Sequence, residues 1–309
     1  MPIQRIHHVG PVVVGSLAAL GLVHGRIGGA GDDHGAVALA DLVVAGKGGV
    51  GKTTVTAALA RAAIDRGLPV LVGELDGKPT LDHLLPGVQV QHISASAALA
   101  DYLDTHGLSR VTRRLVDSGV IEVVATASPG IDDIVVLGKV KQLERSGAWD
   151  LVLVDGPAAG HAVTFLMAAG SLAATVPGGP VHTQATEVQS MLTDPTRCQV
   201  VLVTLPETTP ANEAVETAHL LQQRVGVRLG PIVVNAVDDG PLLPADAAPE
   251  DSPMRRAAEF RNARRSLHST ECDRLRIELA LAQLHLPLEP GSVIDADAID
   301  RLAQAWVAR

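Results

Sequence analysis

Aromatic side chains are scarce here: two Trp, two Phe and one Tyr, 2 % of a 309-residue chain. A core must therefore be built from Val, Leu, Ile and Ala, and the 47 % apolar content is enough for one large domain. Cysteine is scarcer still. Cys198 and Cys272 lie far apart without a C-x-x-C pair, which excludes a disulfide framework and a zinc ribbon and suits a reducing compartment. A basic excess is missing too: 34 acidic against 25 basic residues, a net charge of −9, argues against general nucleic-acid binding. Long apolar runs are also absent. The best, Val9–Val23, contains Pro11 and falls short of the ~20 residues that span a bilayer. With Arg5 ahead of it, it faintly resembles a signal peptide. Residues 1–40 are expected to be a poorly ordered N-terminal extension, or an upstream start, that the domain at 41–309 does not need.

That domain alternates short apolar runs with helical stretches, the pattern of a mostly parallel sheet with helices on both faces. Strands are expected at Leu42–Ala45, Val70–Val72, Ile121–Ala125, Leu151–Val154, Val200–Val203 and Ile232–Val234. Asp238–Pro253 is rich in proline and reads as a loop, and Met254–Leu284 as one or two helices. The loop and this helical segment, about 238–285, form a small helical subdomain in this reading. The arginines there suit a solvated helix face better than an anionic partner, given the negative charge of the whole chain. In the final helix, Ile299, Leu302 and Trp306 share one side and read as core packing.

The most informative stretch is Gly46-Lys47-Gly48-Gly49-Val50-Gly51-Lys52-Thr53, which fits G-x-x-x-x-G-K-[ST]. An apolar run precedes it, and an alanine-rich stretch from Thr54 without Gly or Pro follows. Strand, glycine turn and helix is the context that a phosphate-binding loop requires. Glycines let the backbone turn tightly with its N–H groups inward, and the helix N-terminus adds partial positive charge. Lys52 is then expected to hold the β- and γ-phosphates of ATP, with the Thr53 hydroxyl on magnesium (Mg2+). Such a loop needs only one lysine, so Lys47 is left unexplained.

Four further strand ends carry polar groups. Asp155 closes the apolar run of "WDLVLVDGPAAGH", where a carboxylate can hold magnesium directly or through water. Glu74 and Asp76 follow the strand in "PVLVGELDG"; either could orient an attacking water, and the chemistry alone does not choose. Glu207 and Asn235 each follow another strand. An asparagine amide can pair with adenine, but both residue types also cap helices.

"GKGGVGKTT" resembles the deviant P-loop of the family that includes ParA, MinD, nitrogenase iron protein and the arsenite/anion-transporting ATPases. "SPGIDDIVVLGKV" and "VDGPAAGHAVTFL" are similar to segments of its ArsA-type and tail-anchored-protein-targeting branch, which usually reads D-x-x-P-x-G-H-x-x-x-F-L. Asp155, Gly160, His161, Phe165 and Leu166 fit, while Pro157 comes one residue early. "LPETTPANEA", "VVNAV" and "LHLPLEPGSV" match in order, so the likeness covers roughly residues 41–295.

The resemblance implies a cytoplasmic ATPase, with peripheral membrane association allowed, whose site is shared between two chains. Lys47 then reaches the partner's nucleotide, like an arginine finger supplied in trans. Asp76 aligns with the family's water-orienting aspartate, Glu207 and Asn235 with its adenine positions, and Gly46 to Thr54 with its phosphate loop. One P-loop implies a homodimer, or a heterodimer with a related ATPase chain, acting on a membrane or cargo partner. No nucleic acid is expected. Departures narrow the reading. Two isolated cysteines cannot form a three-thiolate arsenite site, and no C-x-x-C opens the late helix, so neither zinc nor an iron–sulfur cluster is expected. The short interval between Asp76 and Asp155 leaves limited room for a helical insert that grips a transmembrane segment. The alternatives are a positioning ATPase of the ParA/MinD type and a metabolic kinase or ligase on the same fold.

Overall fold

The structure is a computed structural model that describes residues 41–75, 79–105, 107, 110, 113, 130–291 and 293–307. The strand expected at Ile121–Ala125, the residue Asp76 and the extension 1–40 lie outside the described residues.

Among the described residues, seven parallel strands form one sheet. In chain order they are β1 (Asp41–Gly46), β2 (Val70–Glu74), β3 (Val90–His92), β4 (Leu151–Ala158), β5 (Cys198–Thr204), β6 (Ile232–Val237) and β7 (Gln283–Pro287). Across the sheet the order is β3-β2-β4-β1-β5-β6-β7. The described helices are α1 (Lys52–Ile64), α2 (Thr80–Leu84), α3 (Ala95–Thr105), α4 (Ile131–Arg145), α5 (Ala159–Thr175), α6 (Pro180–Thr193), α7 (Thr208–Leu220), α8 (Pro253–Leu279) and α9 (Ala296–Val307).

β1 is buried along its whole length and lies in the middle of the sheet, so both its faces must be apolar. Strand alternation divides them. Val43 and Ala45 join one core with Val152, Val154 and side chains of α4 to α7. Leu42 and Val44 join the other with Leu151, Leu153, the alanines of α1 and, from α9, Ile299, Leu302 and Trp306. This is the α/β three-layer arrangement expected of a P-loop NTPase. The final helix packs into the core, as its spacing indicates, and the Trp306 indole donates to the carbonyl of His285 at 2.9 Å.

One expectation is corrected, and one strand is added. The segment read as helix to Leu284 is one helix, α8, that ends at Leu279, and Gln283 and Leu284 begin β7. Ala280 takes a left-handed conformation (φ 51°) that stops the helix, and an alanine gives no sequence sign of it. β3 also went unread: it is three residues long, and Val90 and Gln91 are only half-buried. Most arginines of α8 are engaged on the molecule's own acids, including Arg261 on Asp238 and Arg274 on Glu271 and Glu278.

Asp41 begins β1 at the sheet edge opposite the P-loop. Burial, with Glu144 nearby, pushes its carboxyl up to about 8, and Arg197 offsets this in part. The folded state therefore holds a proton that the unfolded chain releases above the ordinary carboxylate range. The resulting stability is full below about pH 4 and is lost as pH rises through about 8. Asp41→Asn keeps the shape without the charge, so its melting temperature is expected to fall less between pH 6 and pH 9 than the parent's. Equal falls in both proteins would contradict a buried, protonated Asp41.

Candidate functional site

The loop between β1 and α1 stands at the C-terminal edge of the central strands, where the sheet order places β1 between β4 and β5 and where open α/β sheets bind ligands. Gly51 makes the turn into α1. Its φ of 89° is left-handed, which favours glycine, and a Cβ there would push aside the Asn235 amide. Among the described residues no side chain caps the first turn of α1, leaving its N–H groups for an anion. Lys52 Nζ folds back over the loop to the Lys47 carbonyl at 3.3 Å. Gly48 and Gly49 are exposed, Val50 is buried beneath them, and Thr54 lies half-buried in the first turn.

Thr53 and Asp155 meet. The Thr53 hydroxyl donates to Asp155 Oδ2 at 2.7 Å, and the Thr56 hydroxyl lies 3.3 Å from Oδ1. The registers explain the meeting: Asp155 is paired with Val44 of β1 and Glu74 of β2, at the strand ends facing α1. Burial chiefly raises the Asp155 carboxyl above its ordinary range, with Glu74 adding to it, while Thr53, Lys52 and Thr56 pull it down. A hydroxyl and a carboxylate side by side are hard oxygen donors suited to magnesium, so these residues fit the ion that the nucleotide would bring.

Asn235 reaches the loop from β6, its amide donating to the Val50 carbonyl at 2.9 Å. Glu207 lies just ahead of α7, in an ion pair with Arg264 of α8 at 3.5 Å. Lys47 points away from its own loop: its ammonium lies 2.5 Å from Glu213 Oε1 on α7, and both side chains are 39 % exposed. Glu74, by contrast, is buried and engaged. Its Oε1 accepts from the Thr80 and Leu81 N–H groups at 3.2 Å each, capping α2, and its Oε2 faces His92 Nδ1 at 2.9 Å. A carboxylate so held is a structural part of the β2–α2 corner and is poorly placed to turn toward a water. Thr56, Glu213 and His92 escaped the sequence reading. Thr56 could have been found, one helical turn beyond Thr53 on the same face. Glu213 is 166 positions from Lys47, and nothing local signals that meeting.

This fold and loop define a P-loop nucleotide-binding protein. The CbiA family, described as the CobQ/CobB/MinD/ParA nucleotide binding domain, matches residues 42–247, and the chain belongs to it. It is 30 % identical over 270 residues to the ATPase BagA of Mycobacterium tuberculosis, covering 79 % of this chain and 74 % of that one. It is also 30 % identical over 242 residues to an arsenical pump-driving ATPase of Acidiphilium multivorum, covering 72 % of this chain and 40 % of that one. A similar ATPase of Escherichia coli is 31 % identical over 207 residues, covering 63 % of this chain and 34 % of that one. The chain is thus an ATPase of the MinD/ParA/ArsA class. Among the described residues no helix is long and apolar enough to cross a membrane.

Proposed function

We propose that the protein is a dimeric, magnesium-dependent ATP switch that couples nucleotide binding and hydrolysis to a transport or targeting partner. The observation that carries this reading is the division of labour between two lysines of one loop. Lys52 covers its own P-loop, whereas Lys47 is directed outward onto a half-exposed acid. A cation held at the surface beside a phosphate site is available to a second chain. There it would stabilise charge as the γ-phosphate leaves. Thr53 and Asp155 would hold magnesium, which neutralises phosphate charge when bound. Asn235 and Glu207 are proposed to border the adenine. Arsenite is not the proposed cargo. Cys198 and Cys272 are both buried, on different elements, and burial pushes both thiols up, away from the thiolate that a soft metal requires.

Asp76 is proposed to orient the attacking water, and the engagement of Glu74 supports that choice of carboxylate. Asp76→Asn is expected to bind magnesium–ATP with parental affinity, to lose most turnover and to sediment as a dimer in ATP. Glu74→Gln should keep most of its turnover while melting at lower temperature, because it weakens the corner that Glu74 caps. An Asp76→Asn protein that hydrolyses normally beside a dead Glu74→Gln would reverse the assignment. An Asp76→Asn protein that remains a monomer in saturating ATP would contradict the switch.

A further inference from the structure

A cavity of about 450 Å3 opens between α3, α4 and α6, away from the nucleotide loop. Its volume lies within the ~300–1,000 Å3 of small-molecule sites. Ala98, Val135 and Tyr102 contribute apolar surface, and Lys139, Lys141 and Arg145 of α4 bring three cations to the lining. Lys141 is 6 % exposed, its ammonium held by Gln184 Oε1 at 2.7 Å and Glu187 Oε2 at 2.6 Å. Arg145 approaches the same Glu187 oxygen at 3.2 Å, and Lys139 is paired with Asp101 at 2.7 Å. These ion pairs match three cations with two carboxylates, and two of the cations share one oxygen. The Lys141 hydrogen bond, with Arg145 behind it, holds the Glu187 carboxyl below its ordinary range, so it stays charged and the excess over these five described residues is one positive charge. Arg145 is half-exposed, and its planar guanidinium can take a second oxyanion. Gly138 makes the arrangement possible. A Cβ there would lie 1.8 Å from Gln184 Nε2, so only glycine lets Gln184 pass across α4 to Lys141.

We propose that this cavity binds a small organic anion, one carboxylate or sulfonate on an apolar body of about two rings. The apolar surface takes the body, and Arg145, backed by Lys141, takes the charge. The site is separate from the ATP site. Arg145 ends α4 shortly before β4 begins, and the neighbouring Glu144 is paired with Arg197 just ahead of β5, so this end of the cavity lies toward the sheet edge opposite the P-loop. Ligand and ATP are therefore expected to bind together without competing.

The test uses the full chain and two dyes. 1-Anilinonaphthalene-8-sulfonate has the body and the charge; N-phenyl-1-naphthylamine has the body alone. The sulfonate is expected to bind one saturable site per chain, with affinity unchanged by magnesium–ATP. The neutral amine should bind at least about tenfold more weakly, the factor that one charge-assisted hydrogen bond commonly carries. Arg145→Gln should weaken the sulfonate about tenfold and leave the amine unchanged. Ala98→Trp should fill the cavity and abolish both while ATP hydrolysis persists. If circular dichroism shows that this variant does not fold, Thr105→Trp at the exposed rim takes its place. The proposal is overturned if no saturable sulfonate site is found, if the two dyes bind equally, if ATP displaces the sulfonate, or if Arg145→Gln and the tryptophan variant bind it as the parent does.

Discussion

Lys52→Ala is expected to lose measurable ATP binding. The ammonium that folds over the loop would be gone, and the phosphates would keep the backbone amides at the start of α1 without the cation of their own loop. Charge-assisted hydrogen bonds to phosphate are roughly twice as strong as neutral ones, and leaving buried anionic oxygens without their cation adds its own penalty. The fold should survive, because Lys52 is only half-buried and, among the described residues, its side chain bonds only the Lys47 carbonyl. Titration with a fluorescent ATP analogue and magnesium gives the answer. Parental affinity in the variant would mean that this loop is not the phosphate site.

Lys47→Ala should behave in the opposite way. ATP affinity is expected to stay close to the parent's, since the side chain leaves its own loop for Glu213. Turnover is expected to fall by a factor of roughly 10³ or more, the contribution of a cation supplied to a γ-phosphate in trans. The fold should tolerate the change, because an exposed ion pair is worth little. A structural lysine would give a different result: melting temperature and ATP affinity would fall together, and turnover only in proportion. Binding isotherms, melting curves and steady-state hydrolysis on one preparation separate the two cases.

Much of this site was legible because it is local. Gly46 to Thr53 is one contiguous motif between a strand and a helix, and Gly49 and Gly51 take left-handed conformations that favour glycine. Asp155 was legible because an apolar run that stops at a carboxylate marks the ligand edge of a parallel sheet. Its contact with Thr53 follows once β4 lies beside β1. What was hidden depends on long-range meetings. Glu213 looks like any solvated helix residue until α7 is packed beside the loop. Glu74 and Asp76 are two positions apart, and only the β2–α2 corner shows that Glu74 already holds the N–H groups of Thr80 and Leu81. β7 follows a leucine- and alanine-rich stretch that suits either structure, and the left-handed Ala280 that divides them is a backbone choice made by packing.

The shared site is tested most directly by mixing two inactive chains. Lys47→Ala lacks the cation that one chain would lend, and Asp76→Asn lacks the carboxylate that each chain would use on its own nucleotide. In a mixed dimer, the site on the Lys47→Ala chain has an intact Asp76 and receives an intact Lys47 from its partner, while the other site has neither. Hydrolysis by the mixed species should return to as much as about half the parental rate, one of its two sites being whole. If heterodimers form and hydrolysis stays at the level of the separate variants, Lys47 serves its own site, and the protein is a self-contained ATPase in which no residue is lent between chains.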